Sequence, residues 1–125
     1  MPNLLLVMLG GAFGAVARYL VGKATLAAFG PGYPWGTLAV NLIGGLLMGV
    51  LAGSLARLGQ GGEQWRLLLG VGVLGGFTTF SAFSLDVMVM LERGDWIAGT
   101  GYALVSVIGS VAALALGLGL IRSLA

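Results

Sequence analysis

Four apolar runs, at about residues 3–21, 36–56, 66–90 and 97–121, are each long enough to cross a bilayer and leave little chain for anything else. A helical span takes roughly 20 apolar residues. The 125 residues therefore hold four helices and short loops in one membrane domain, with no room for a soluble one. Composition agrees. Hydrophobic residues make up 58% of the chain and charged residues 8%, where a soluble domain carries roughly 25% charged residues.

The connections are polar or rich in turn residues. Residues 22–35 carry Gly30-Pro31-Gly32 and Pro34, residues 57–65 carry Gly59, Gly61 and Gly62, and residues 91–96 carry Glu92, Arg93 and Asp95. Trp35, Trp65 and Trp96 stand where spans begin, at the level where indoles anchor among lipid headgroups. Ala15-Val16-Ala17 has the look of a signal-peptidase site, but no Lys or Arg precedes the first apolar run, so cleavage is not expected. With no Cys and no His, disulfides, thiolate chemistry and most transition-metal sites are excluded. Asp86 and the loop carboxylates assemble no nucleophile, base and acid set, so an enzyme is not expected. A net charge of +2 without adjacent basic residues gives no nucleic-acid surface.

Loop charges bear on orientation. If the N-terminus faces side one, Arg57, Arg66 and Arg122 also face side one, and Arg18, Lys23 and Arg93 face side two. The imbalance of Lys and Arg across short loops sets which way a chain inserts. A tie of three against three gives no instruction, so insertion both ways is expected unless the N-terminal amine or translation kinetics decides. A chain inserted both ways can pair with its own inverted copy.

Gly45, Gly49 and Gly53 recur every four residues in the second run, and Gly10 and Gly14 do so in the first. Such faces let backbones approach closely, and oligomerisation is the ordinary expectation for them. Asn41 lies four residues before Gly45, which places an amide on the same face, where it needs a partner or a ligand. In the fourth run Tyr102, Ser106 and Ser110 follow at i, i+4 and i+8 and share a face as a possible polar track. The bland alternatives are an interhelical bond for Asn41 and back-bonding to the preceding turn for each serine.

The third run interrupts itself with Gly75-Gly76-Phe77-Thr78-Thr79-Phe80-Ser81-Ala82-Phe83-Ser84. Paired glycines weaken a helix, and Thr78, Thr79 and Ser81 can bond freed backbone groups, so a break near the bilayer centre is expected. Carbonyls released there suit a hard cation, and the amides and hydroxyls opening the second half suit an anion. Phe80 and Phe83 share a face, and aromatic rings offer electropositive edges as well as packing bulk.

Three segments together resemble the Fluc or CrcB family of fluoride channels over essentially all four spans. They are Gly10 to Tyr19, Gly36 to Asn41 with Gly44, and Gly75 to Ser84. The resemblance implies an antiparallel, dual-topology homodimer of four-helix subunits in the cell inner membrane, exporting fluoride passively from the cytoplasm through two pores. It assigns Phe80 and Phe83 as pore phenylalanines, Asn41 as a pore amide, and Tyr102, Ser106 and Ser110 as a hydroxyl track; Thr79 and Ser81, the hydroxyls at the break, are expected to join them in the fluoride pore. Backbone carbonyls of Gly75 and Thr78 from both subunits would hold a structural Na⁺. Ala82 departs from the Thr that usual members carry there, which removes one hydroxyl.

The residue chemistry suits the ion. Fluoride is small and strongly hydrated, so a pore has to replace its water with donors without a fixed cation midway that would trap it. Arg18 and Asp86 are the charges nearest the interior, expected at a vestibule, paired with each other or snorkelling to the interface. A small multidrug exporter shares the expected architecture but needs an acidic residue deep in the first span, which is missing here. A non-conducting scaffold would account for the glycines but for neither the interrupted third run nor the aligned hydroxyls.

Overall fold

The computed structural model describes residues 2–124, all of them helix, turn or short connection. Helix α1 (Asn3–Phe29) starts directly after Pro2, whose carbonyl accepts the Leu5 and Leu6 amides. Helix α2 (Trp35–Leu58) starts after Pro34. Helix α3 covers 62–77: one α-helical turn Gly62–Trp65, a π-helical stretch Arg66–Leu74 and a last turn Gly75–Phe77. Helices α4 (Ser81–Glu92) and α5 (Trp96–Ser123) follow.

Among the described residues, three helical stretches are long and apolar enough to cross a membrane: Asn3–Phe29, Trp35–Glu92 and Trp96–Ser123. The middle one counts 58 residues, which at 1.5 Å per residue would extend roughly 87 Å if straight, far beyond one bilayer core. It doubles back instead. Leu55 lies over Gly62, Leu51 over Gly70 and Thr78 over Gly44, so α3 runs antiparallel to α2. The reversal occurs at Gly59 (φ +63°), and the reversal between α4 and α5 uses Gly94 (φ +86°). A left-handed φ at both points is open to glycine without steric cost.

Packing continues the alternation. Along α1, Gly10 meets Gly72 and Gly14 meets Phe77, so α1 and α3 run parallel. Gly45 meets Ser110, Gly49 meets Leu114 and Gly53 meets Ile121, so α2 and α5 run parallel too. Arg57 at the end of α2 donates to the Ile121 carbonyl across that seam. The glycine faces are therefore consumed inside one chain: a methyl at Gly45 would stand 2.7 Å from the Ser110 carbonyl oxygen. This corrects the expectation that these stripes serve oligomerisation. The close approach they permit joins helices of the same subunit.

The helices also exceed the expected spans. The first continues past residue 21 to Phe29, because Lys23 and Thr25 do not break a helix. The Thr25 hydroxyl donates to the Val21 carbonyl 2.9 Å away and satisfies itself within the helix. Termination waits for Gly30-Pro31-Gly32, where Gly30 takes φ +77°. The core is small, made of Leu38, Phe83, Met90 and Tyr102 with Tyr33, Leu42, Val87 and Ala103 against it. Most other large apolar side chains face outward, as a chain dissolved in lipid requires.

Candidate functional site

The third apolar run breaks where expected. Phe77 ends α3, Thr78 is extended (φ −84°, ψ 160°) and Phe80 returns to helical angles before α4. Asn41 of α2 reaches across and brackets Thr79. Its Nδ2 donates to the Thr79 carbonyl at 3.1 Å and its Oδ1 accepts the Thr79 amide at 3.0 Å. In an unbroken helix that amide would close onto the Gly75 carbonyl. The Ala82 amide, which would close onto Thr78, donates instead to Thr79 Oγ1 at 3.1 Å, much as a capping hydroxyl receives the third amide of a helix. Two side chains thus take the amides that the Gly75 and Thr78 carbonyls would otherwise hold. The Thr78 hydroxyl turns back to the Leu74 carbonyl.

The break opens on a groove of about 540 Å³ between α2, the α3–α4 junction and α5. Asn41, Thr79, Phe80, Phe83, Ser106 and Ser110 all line it, together with Gly75 and Thr78. Six of the eight expected pore residues are brought together. Phe80 is 76% exposed and projects at the open side, whereas Phe83 is 9% exposed, with its ring centroid 5.5 Å from that of Phe80. The Ser106 hydroxyl is buried and has no hydrogen-bond partner among the described residues. Back-bonding, the ordinary fate of a membrane serine, is not used there.

Tyr102 and Ser81 lie elsewhere. Tyr102 shares the face of Ser106 but is fully buried behind Phe83, its ring centroid 5.3 Å away, and its hydroxyl donates to Asp86 Oδ2 at 3.1 Å. Regular spacing predicted the face but not the depth, so the three-hydroxyl ladder is corrected to two serines on the groove. Ser81 is exposed, 3.4 Å from the Thr79 hydroxyl.

Arg18 and Asp86 do not pair with each other. Arg18 Nε donates to the Gly76 carbonyl at 3.1 Å, tying α1 to the turn before the break, and Asp86 takes the Tyr102 hydroxyl. Arg18, Lys23, Thr37, Thr79 and Ala82 line a second cavity of about 360 Å³. Thr79 lines both cavities and stands between them. Ala82 faces the second, so the hydroxyl missing there is absent from the Arg18 side and not from the groove holding the phenylalanines.

The donor set at the break is all oxygen and uncharged, and no acidic or histidine cluster able to hold a metal occurs among the described residues. Two carbonyls relieved of ladder bonds, Gly75 and Thr78, fit a hard monovalent cation, though one chain alone supplies too few oxygens to surround it. Sequence reasoning passed over Tyr33. Its ring stands edge-on to Tyr102, centroids 5.5 Å apart, and loss of solvent pushes its phenol up from the usual value. An aromatic residue wedged before Pro34 was the available signal.

These features define an all-helical, multi-pass membrane protein with a groove of small-solute size at a helix break, apolar-walled and carrying a few polar groups. The chain belongs to the CrcB family, since the family described as CrcB-like protein, Camphor Resistance (CrcB), matches residues 5–118. A protein of Phenylobacterium zucineum (strain HLK1) named fluoride-specific ion channel FluC is 60% identical over 123 residues, 98% of this chain and 97% of that one. Proteins of the same name from Sphingopyxis alaskensis and Caulobacter sp. (strain K31) are 55% and 58% identical, covering 99% and 94% of this chain and 98% and 93% of their own.

Proposed function

We propose that the chain is a fluoride-selective passive channel of the inner membrane, exporting fluoride from the cytoplasm. It crosses the bilayer four times and works as an antiparallel homodimer with one groove per subunit serving as a pore. The observation that carries this reading is the Ser106 hydroxyl, buried and unspent beside Phe83 in the groove. Leaving a buried hydroxyl unpaired costs roughly 1–3 kcal/mol, a cost removed when the hydroxyl turns to an acceptor passing through the groove. Fluoride accepts strongly, and the names of the relatives point the same way. Proteoliposomes loaded with fluoride and chloride test it: fluoride should leave rapidly and chloride should stay. Chloride leaving as fast as fluoride would refute the assignment.

The dimer follows from what one copy leaves open. Gly75 is exposed, and its carbonyl has lost its ladder donor to Asn41. An unsatisfied backbone group left uncovered within the bilayer costs several kcal/mol, and a second copy is the cover that fits it. The charge tie makes an inverted copy available: Arg57, Arg66 and Arg122 on one side balance Arg18, Lys23 and Arg93 on the other. Single cysteines placed in the 59–62 turn should label from both faces of a sealed membrane, and labelling from one face only would exclude dual topology. Two or three Lys added near Gly59 should force one orientation and lower flux, with rescue by an oppositely biased copy.

In this assembly the Gly75 and Thr78 carbonyls of both subunits hold the structural sodium ion. Gly75→Val is a clean probe, because a Cβ there meets only the Gly70 carbonyl oxygen at an ordinary 3.5 Å within its own chain. The subunit should fold while the dimer dissociates on size-exclusion chromatography. A dimer as stable as wild type would place the two-fold axis away from Gly75.

A further inference from the structure

A line of rings runs from the short loop joining α1 and α2 to Phe83 and Phe80 in the groove. Trp35 and Tyr33 have centroids 4.6 Å apart, Tyr33 and Tyr102 5.5 Å at 87°, Tyr102 and Phe83 5.3 Å, and Phe83 and Phe80 5.5 Å. Such spacings fall in the range where aromatic pairs attract beyond their buried area. The line joins the loop directly to the ring pair in the groove.

The loop end of the line is stiff. Pro34 sits at φ −79°, ψ 63°, and the Trp35 amide donates to the Tyr33 carbonyl at 2.8 Å, which makes an inverse γ-turn centred on Pro34. The proline also narrows the backbone choices of Tyr33 itself. Tyr102, the middle ring, is fully buried and its hydroxyl is held by Asp86, so a change at its Tyr33 neighbour is passed to the rings packed on it and not absorbed by solvent. Tyr33 packs directly on the core of Leu38, Phe83, Met90 and Tyr102. A ring locked at one end by a turn and pressed edge-on against a buried tyrosine transmits its position to the next ring, because a close-packed interior does not yield smoothly.

We propose that Tyr33 is a positioning residue for the permeation path: through Tyr102 it holds the Phe83 ring edge toward the groove, and so contributes to both rate and halide discrimination. This rests on the fluoride-channel reading above. Tyr33 does not line the groove, so any effect on the ion passes through Tyr102 and Phe83. The hydroxyl is not required for the edge-on contact. The ring is.

Fluoride and chloride flux per folded, reconstituted protein is the measurement, made for wild type, Tyr33→Phe and Tyr33→Leu. Tyr33→Phe should match wild type. Tyr33→Leu should lower fluoride flux about fivefold and reduce the fluoride-to-chloride ratio, within the range that changes along a packed side-chain chain produce. In a Phe83→Ile background the same Leu substitution should change flux by less than about twofold, since the ring it positions is gone. Reduced yield of folded Tyr33→Leu with unchanged flux and ratio per folded protein would overturn the proposal and leave a merely structural role. Full additivity with Phe83→Ile would overturn it as well. If Tyr33→Leu does not fold, Tyr33→Trp, which keeps a ring but shifts its edge, should fold and move the ratio, and an unmoved ratio would overturn the proposal. Wild-type liposomes passing chloride as fast as fluoride would instead defeat the channel reading itself, a result separable from all of these.

Discussion

Phe80→Ile and Phe83→Ile should each lower fluoride flux by at least about tenfold, equivalent to roughly 1.4 kcal/mol of barrier. Isoleucine keeps bulk and apolar character but removes the electropositive ring edge that can stand in for water around an anion. The two variants differ in their second effect. Phe80 is 76% exposed, with its ring beside that of Phe83, so its replacement should leave subunit stability near wild type. Phe83 is 9% exposed and belongs to the core with Leu38, Met90 and Tyr102. Its replacement should also destabilise the fold by about 1–3 kcal/mol, the range for reshaping a packed site. Thermal unfolding in detergent alongside liposome flux separates the two. Either variant conducting at the wild-type rate while still assembled would remove the rings from the mechanism.

The break was legible because Gly75-Gly76 and the hydroxyls after it conflict locally with an apolar helix, and such conflict is visible in sequence. The depth of individual side chains was not. Tyr102 and Ser106 are four residues apart on one face, yet one is turned to Asp86 and the other to the groove, because α5 meets Asp86 of α4 at the first position and the groove at the second. The glycine stripes were legible as close-packing faces, but spacing does not say whether the partner lies in the same chain. Here it does: α5 supplies it for the stripe on α2, and α3 for the stripe on α1. Arg18 and Asp86 illustrate the same limit: their shared side of the membrane follows from their positions, and their separate partners follow from packing. The role of Asn41 combines both alternatives that its position raised. It is an interhelical bond and a groove residue together, because the backbone it bonds is the broken segment itself.

Asn41→Asp should suppress fluoride flux more strongly than either ring substitution. The amide meets Thr79 twice, donating to its carbonyl and accepting from its amide. A carboxylate keeps the second contact and turns the first into an oxygen facing an oxygen, so the segment that frees the Gly75 and Thr78 carbonyls loses half its bracket. The new charge then stands in the groove. Two unit charges 4 Å apart at an effective dielectric of about 20 repel by about 4 kcal/mol, and about 2.7 kcal/mol of that reaching the barrier suffices for a hundredfold loss. Asn41→Ala separates the causes, since it removes both bonds without adding charge, and its flux should fall between wild type and Asn41→Asp. Acidification separates them again. Protonation removes the added charge, so Asn41→Asp should recover flux on acidification as its carboxyl becomes neutral, while Asn41→Ala should show no such gain over wild type. An Asn41→Asp channel that conducts at the wild-type rate at pH 7 would show that the anion does not pass this amide, and the groove beside Phe83 and Ser106 would cease to be the pore.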